Sequence, residues 1–199
     1  MSYIDPSEPG AIPNYLWVKA QDGIRATLQE VSDNQSALNS SYKFEVKTNL
    51  WRPVLEDDDN AKLANILIGR VREENKTARL KNHVVEYYVD CHVRSADESG
   101  IPADERAVEW LQYLTAMVEF GLSWLERYYK SLGSGQIAPR SLTLEYDVVD
   151  GADEATQVYA PARFIYTCAF PYSAQDFVNL PDLEKTRVTL DNFATEITY

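Results

Sequence analysis

The chain lacks any uninterrupted run of 18 apolar residues, and its first stretch, MSYIDPSEPGAIP, has neither positive charge nor an apolar centre. Such a sequence is expected to carry neither a membrane anchor nor a secretory signal. Cysteine is nearly absent: Cys91 and Cys168 are the two present, each on the apolar parity of its own alternating run. Two isolated thiols build no disulfide framework and no zinc knuckle, so buried reduced cysteines are expected. Basic charge is also in deficit, with 31 acidic residues against 19 basic and a net charge of −12. An acidic surface repels phosphates, which argues against tight wrapping of DNA or RNA, although a passage that DNA slides through suits an acidic wall.

Catalytic patterns are missing in the same way. Gly133, Ser134 and Gly135 follow a helical pattern and precede a strand pattern, the reverse of a phosphate loop, and they read as a helix stop. His83 and His92 are nine residues apart on one strand and fall on opposite faces. There is no G-x-S-x-G elbow and no H-E-x-x-H helix. The acidic run Glu56, Asp57, Asp58 and Asp59 lacks the glycine and the distal glutamate of a calcium loop and reads as a solvated loop. No catalytic residue, metal site or cofactor is expected.

What is present is periodicity and aromatic mass. With 45% hydrophobic residues the chain can build a core. The sequence predicts an N-terminal arm over residues 1–13, an α+β domain over 14–171 and a C-terminal arm over 172–199. Trp17, Ala20, Ile24, Leu28 and Val31 recur at helical spacing, so a first helix is expected from Asn14 to about Val31, followed by a loop from Ser32 to Ser41 with room for one short helical turn around Ala37 and Leu38. Tyr42 to Trp51 alternates as a strand, and Ala64 to Val71 returns to strand after the acidic loop. Arg72 to Lys81 reads as a charged connection.

The strand His83 to Arg94 has Val85, Tyr87, Val89, Cys91 and Val93 on one parity and Glu86, Tyr88, Asp90, His92 and Arg94 on the other. Pairing with the strand just before it is expected. A long helix from Ala103 to Lys130 starts among Asp97, Glu98, Asp104 and Glu105 and ends near Arg127 and Lys130, as the helix dipole favours. It has two apolar stripes: Val108, Leu111, Thr115, Val118, Leu122, Leu125 and Tyr129, and beside them Trp110, Leu114, Met117, Gly121, Trp124 and Tyr128. So wide an arc implies either near-complete burial or a stripe that meets another subunit. Leu142 to Val148 and Val158 to Phe170 form a hairpin around Asp150, Asp153 and Glu154. The fold class is therefore α+β, a single mostly antiparallel sheet packed on one long helix with a shorter N-terminal helix.

Thirteen tyrosines and four tryptophans occur, with Tyr88 and Tyr159 on outward parities. Such residues bury large areas while keeping a polar handle, which suits interfaces. Three kinds of function remain open on the residues: an assembly protein, a small enzyme working through Asp90, Glu145 or Asp147, and a monomeric module binding a peptide or sugar.

The segments NHVVEYYVDCHVRSADES, ADERAVEWLQYLTAMVEFGLSWLERYY, SLTLEYDVVD and ATQVYAPARFIYTCAF, in the order helix, strand, acidic loop, two strands, long helix and two strands, resemble the tail terminator (tail completion) proteins of tailed bacteriophages. The likeness covers roughly Asn14 to Phe170. It implies a virion protein of the tail and neck, assembled in the host cytoplasm. It further implies a homohexameric ring that caps the tail tube, contacts a neck or connector protein and, in contractile tails, the sheath, and lets DNA pass without specific binding. On that reading Glu56, Asp57, Asp58, Asp59, Asp150, Asp153 and Glu154 are lumen candidates. Tyr88, Tyr159, Ile165, Phe177, Val188, Leu190 and Phe193 are candidates for subunit contacts, with the segment Leu180 to Tyr199 binding a neighbouring subunit or the sheath by strand addition.

Overall fold

The computed structural model describes residues 16–50, 61–75, 80–96, 100–131, 137–146 and 157–173. The elements are α1 (Leu16–Leu38), a 3-10 turn (Ser40–Tyr42), β1 (Glu45–Thr48), β2 (Ala61–Asn75), β3 (Leu80–Ala96), α2 (Ala103–Ser131), β4 (Ala138–Tyr146) and β5 (Gln157–Ser173). The strands form one sheet in the order β1-β2-β3-β5-β4. β1 runs parallel to β2, and every other pairing is antiparallel. The fold is α+β.

Both helices lie on one face of the sheet. Val85, Tyr87, Val89, Cys91 and Val93 of β3, with Ala160, Ala162, Phe164, Tyr166, Cys168 and Phe170 of β5, join Ile24 and Leu28 of α1 and Leu114, Val118, Leu122 and Leu125 of α2 in one core. The alternation read from β3 and β5 is this inner face. α1 crosses α2 where Gly121 leaves room: a Cβ there would stand 2.8 Å from Cδ2 of Leu28. A larger residue at 121 forces the Leu28 side chain to shift.

Several polar groups inside the core are tied to backbone. Gln21 Nε2 donates to the carbonyl of Ile66 (2.9 Å) and to Asn49 Oδ1 (3.0 Å). The Tyr87 hydroxyl donates to the carbonyl of Trp17 (2.7 Å). Asn65 continues the parallel ladder with its side chain, its Nδ2 donating to the Leu50 carbonyl (2.8 Å) while its Oδ1 accepts from the Leu50 amide (3.2 Å).

Three sequence expectations need correction. The loop Ser32 to Ser41 is largely helix, since α1 continues to Leu38. Its polar composition misleads because buried Ser32 is satisfied by β1: its Oγ donates to the Phe44 carbonyl (2.7 Å) and accepts from the Phe44 amide (3.0 Å). The first strand is shorter than Tyr42 to Trp51, because Ser40–Tyr42 turn as a 3-10 helix and Asn49 takes a positive φ of 60°, a conformation asparagine tolerates. Arg72 to Lys81 is not simply a connection: β2 and β3 stay paired out to Asn75 and Lys81 as a long hairpin.

Prolines mark where β5 has one neighbour instead of two. β4 pairs with β5 between Ala162 and Ala169, and Pro161 and Pro171 stand outside that stretch, where a missing N–H costs no ladder bond on the β4 side.

Candidate interaction surface

The surface of interest begins with the other face of the sheet. Strand register sets its side chains in rungs. Leu67, Tyr88, Ile165 and Thr143 form one rung across β2, β3, β5 and β4; Asn65, Asp90, Arg163 and Glu145 form the next; Leu63, His92 and Pro161 form a third. The expected contact residues Tyr88 and Ile165 are thus direct neighbours, both half-buried, and Tyr159, opposite Arg94, lies three rungs away, 37% exposed.

At the centre Arg163 holds Asp90 bidentately, Nε to Oδ1 at 2.6 Å and Nη2 to Oδ2 at 3.0 Å. Asp90 is 7% exposed, so a carboxylate with no such partner would carry a large desolvation penalty. The guanidinium also lies 4.8 Å from the Tyr88 ring centroid. Its hydrogen bonds to Asp90, outweighing a partial desolvation, hold the Arg163 pKa above its ordinary value. Glu145 adds its charge from the β4 side. The Tyr88 ring is laid flat by Gly69, where a Cβ would come within 2.3 Å of the ring, beside an irregularity in β2 between Ile68 and Arg70.

One rung further, His92 stacks on Tyr159 with centroids 5.5 Å apart and planes at 21°, and the Tyr159 hydroxyl is hydrogen-bonded to His92 Nδ1. Nε2 of His92 is buried and has no hydrogen-bond partner among the described residues. Burial lowers the His92 pKa; the Asp90 charge opposes that shift and Arg163 adds to it. The imidazole is therefore held neutral.

Chemically the centre of this face is an ion-pair clamp. Both Asp90 oxygens are engaged by a guanidinium that does not give up its proton near neutral pH, so Asp90 lacks the freedom a base or nucleophile requires. Of the carboxylates weighed for catalysis, Asp90 and Glu145 share a rung but flank Arg163, and Asp147 lies outside the described residues. Among the described residues no group of three or more His, Cys, Asp and Glu side chains is placed to hold a metal ion. The thiols are buried on the inner face, and burial pushes Cys168 up to about 12 and Cys91 higher still. His83, on the face opposite His92 as expected, packs edge-on against Trp17 at 4.5 Å.

The second part of the surface is on the helix layer. Of the two stripes read on α2, Leu111, Thr115, Val118, Leu122 and Leu125 are buried, together with Leu114 and Gly121, while Val108 is 43% exposed. Tyr113 (43% exposed) and Phe120 (58%) belong to neither stripe, and with Val18, Val108 and Leu38 (80%) they are exposed large apolar side chains of this layer. The spacing of Tyr113, Met117 and Phe120 carried the signal, since three and four residues bring side chains onto one helix face. A groove of about 330 Å3 runs between the helices, floored by Val31 and Met117 and edged by Tyr113 and Phe120. It adjoins a polar pocket of about 160 Å3 in which Lys62 stands 4.3 Å from the Trp110 ring centroid near Glu109. Partial burial lowers the pKa of Lys62.

The remaining expected site residues, Glu56, Asp57, Asp58, Asp59, Asp150, Asp153, Glu154, Phe177, Val188, Leu190 and Phe193, lie outside the described residues. No helix among the described residues is long and apolar enough to cross a membrane. The sequence matches no family model and no curated protein.

Proposed function

We propose that the chain is a structural protein of a phage virion which assembles into a ring, caps the tail tube, ends its polymerisation and joins tail to neck. The observation that carries this reading is the exposure of large apolar side chains on both layers: Leu38 and Phe120 on the helices, and Tyr159 on the outer sheet face. A small acidic protein gains nothing from wetting such residues, and a surface of this kind suits contact with further chains. Support also comes from the element order of the tail terminator resemblance and from an outer sheet face whose ionic rung is clamped rather than reactive. The work done is geometric and not enzymatic, with no cofactor. Ring contacts close the assembly, one end meets the tube protein and, where a sheath exists, its last layer. The other end meets the connector, and the net charge of −12 keeps passing DNA from sticking. Place of action is the virion tail and neck, after assembly in the host cytoplasm.

Light scattering coupled to size exclusion tests this. A discrete particle near six chains, seen as a ring by negative-stain microscopy, is the expected result. A monodisperse monomer that neither binds tail tubes nor limits their length overturns the reading.

A further inference from the structure

The apolar groove on the helix layer lacks an occupant among the described residues. Its edges, Tyr113 and Phe120, are 43% and 58% exposed, and Leu38 beside it is 80% exposed. These are large side chains, on two helices whose sheet-facing sides are packed in the core, and the cavity of about 330 Å3 has room for more. A groove between two antiparallel helices takes a third apolar stripe of helical spacing, anchored at i, i+3 or i+4, and i+7.

One stretch of this chain has that spacing. Within residues 174–199, Leu190, Phe193, Ala194 and Ile197 stand at i, i+3, i+4 and i+7, separated by Asp191, Asn192, Thr195 and Glu196. Its reach is sufficient. β5 ends at Ser173, opposite Leu80, and its 17 residues run for roughly 56 Å at the usual rise of a strand. Another 16 residues lie between Ser173 and Leu190. Leu190 therefore reaches any point along its own sheet.

We propose that the groove between α1 and α2 is the docking site of residues 174–199 of this chain, filled by Leu190, Phe193 and Ile197 against Met117 and Phe120. The ring is not a premise of this proposal, and docking within one chain satisfies it as fully as docking between copies.

The native thiols suit a direct test, because Cys91 and Cys168 are buried and stay protonated at neutral pH. The full-length double variant Phe120→Cys, Phe193→Cys is oxidised mildly and digested, and the joined peptides are identified by mass spectrometry. A 120–193 disulfide forming at least ten times faster than 120–120 links is the expected result. Gel mobility without reductant then says whether the link is within a chain or between chains. Dominant 120–120 links overturn the proposal, because they make the occupant the helix layer of a second copy; absence of any link also overturns it. A second measurement needs no cysteine. Hydrogen exchange of amides 113–120 is compared between the native chain and the full-length variant Leu190→Ser, Phe193→Ser, Ile197→Ser. Faster exchange in the variant, by a factor of about ten, supports docking, and unchanged exchange overturns it. Particle mass is read separately, so loss of docking in an intact ring and loss of the ring itself are told apart.

Discussion

The two faces of β3 are equally dry at their centre and dry for opposite reasons. Inward, Val85, Tyr87, Val89, Cys91 and Val93 are fully buried against two helices by apolar packing, with one hydrogen bond from the Tyr87 hydroxyl to the Trp17 carbonyl. Outward, Asp90 and His92 are 7% and 8% exposed although both described helices are on the other side. Neighbouring side chains cover them: a guanidinium folded over Asp90 and a tyrosine ring stacked on His92. The inner face loses stability when volume is removed, and the outer when a partner is removed. Four measurements separate the two modes.

The largest loss is expected inside. Phe164 is 1% exposed in the middle of β5, and Phe164→Ala removes a ring that nothing nearby can replace. About 3–5 kcal/mol should go, read as a lower urea midpoint at unchanged slope. A loss under about 1 kcal/mol would mean that the core collapses around the gap, which rigid packing does not allow.

Next comes the outer rung. Arg163→Met keeps much of the volume and removes both bonds to Asp90, leaving a nearly buried carboxylate without its cation. Arg163 is itself 45% exposed at its side chain, so solvent screens part of the interaction and the expected loss is about 1–3 kcal/mol. The double variant Arg163→Met, Asp90→Leu should recover most of it, because the charge left behind has then gone too. If the double variant is no more stable than the single one, the rung does not act as an ion pair.

How much of this was readable beforehand follows the same division. The inner face is written in local alternation, so the parity of β3 and the buried stripe of α2 appear in the chain itself. The outer rung is not, because Asp90 and Arg163 are 73 residues apart and meet through a register that no local pattern encodes. Tyr88 and Tyr159 could be named as outward aromatics, but their partners, Gly69 and His92, required the pairing of three strands. The end of α1 failed for a related reason: Ser32, Asn34 and Ser36 have loop composition, and the Phe44 backbone that satisfies Ser32 is 12 residues away. On α2, Tyr113 and Phe120 were legible as a spacing but were masked by the stronger stripes beside them.

The third measurement uses pH to probe the outer face alone. Burial lowers the His92 pKa in the folded protein, whereas in the unfolded chain it takes its ordinary value near 6.5. Below that value the unfolded state binds a proton that the folded state refuses, so stability falls as pH drops below about 6.5 and is complete above it. His92→Asn should flatten the stability curve between pH 6.5 and pH 5 relative to the native protein while leaving the inner face untouched. An equal slope in both proteins would show that His92 is not the group responsible.

The smallest effect belongs to the far end of the same face. Arg140, at the irregularity in β4, reaches Glu74 of β2 with two bonds, 3.1 Å and 2.9 Å, across β3 and β5. Geometrically it is a bidentate clamp like Arg163 with Asp90. Both side chains are about one-third exposed, however, so water already solvates the charges that the bridge would otherwise protect. Arg140→Ala should therefore cost only about 0.2–1 kcal/mol in dilute buffer, and the difference should vanish near 1 M salt, where charges are screened beyond roughly 3 Å. The Arg163→Met loss should persist in that salt, since Asp90 is buried and its penalty comes from desolvation. If both losses disappear together, depth does not separate the two clamps, and the outer face is held by surface electrostatics throughout.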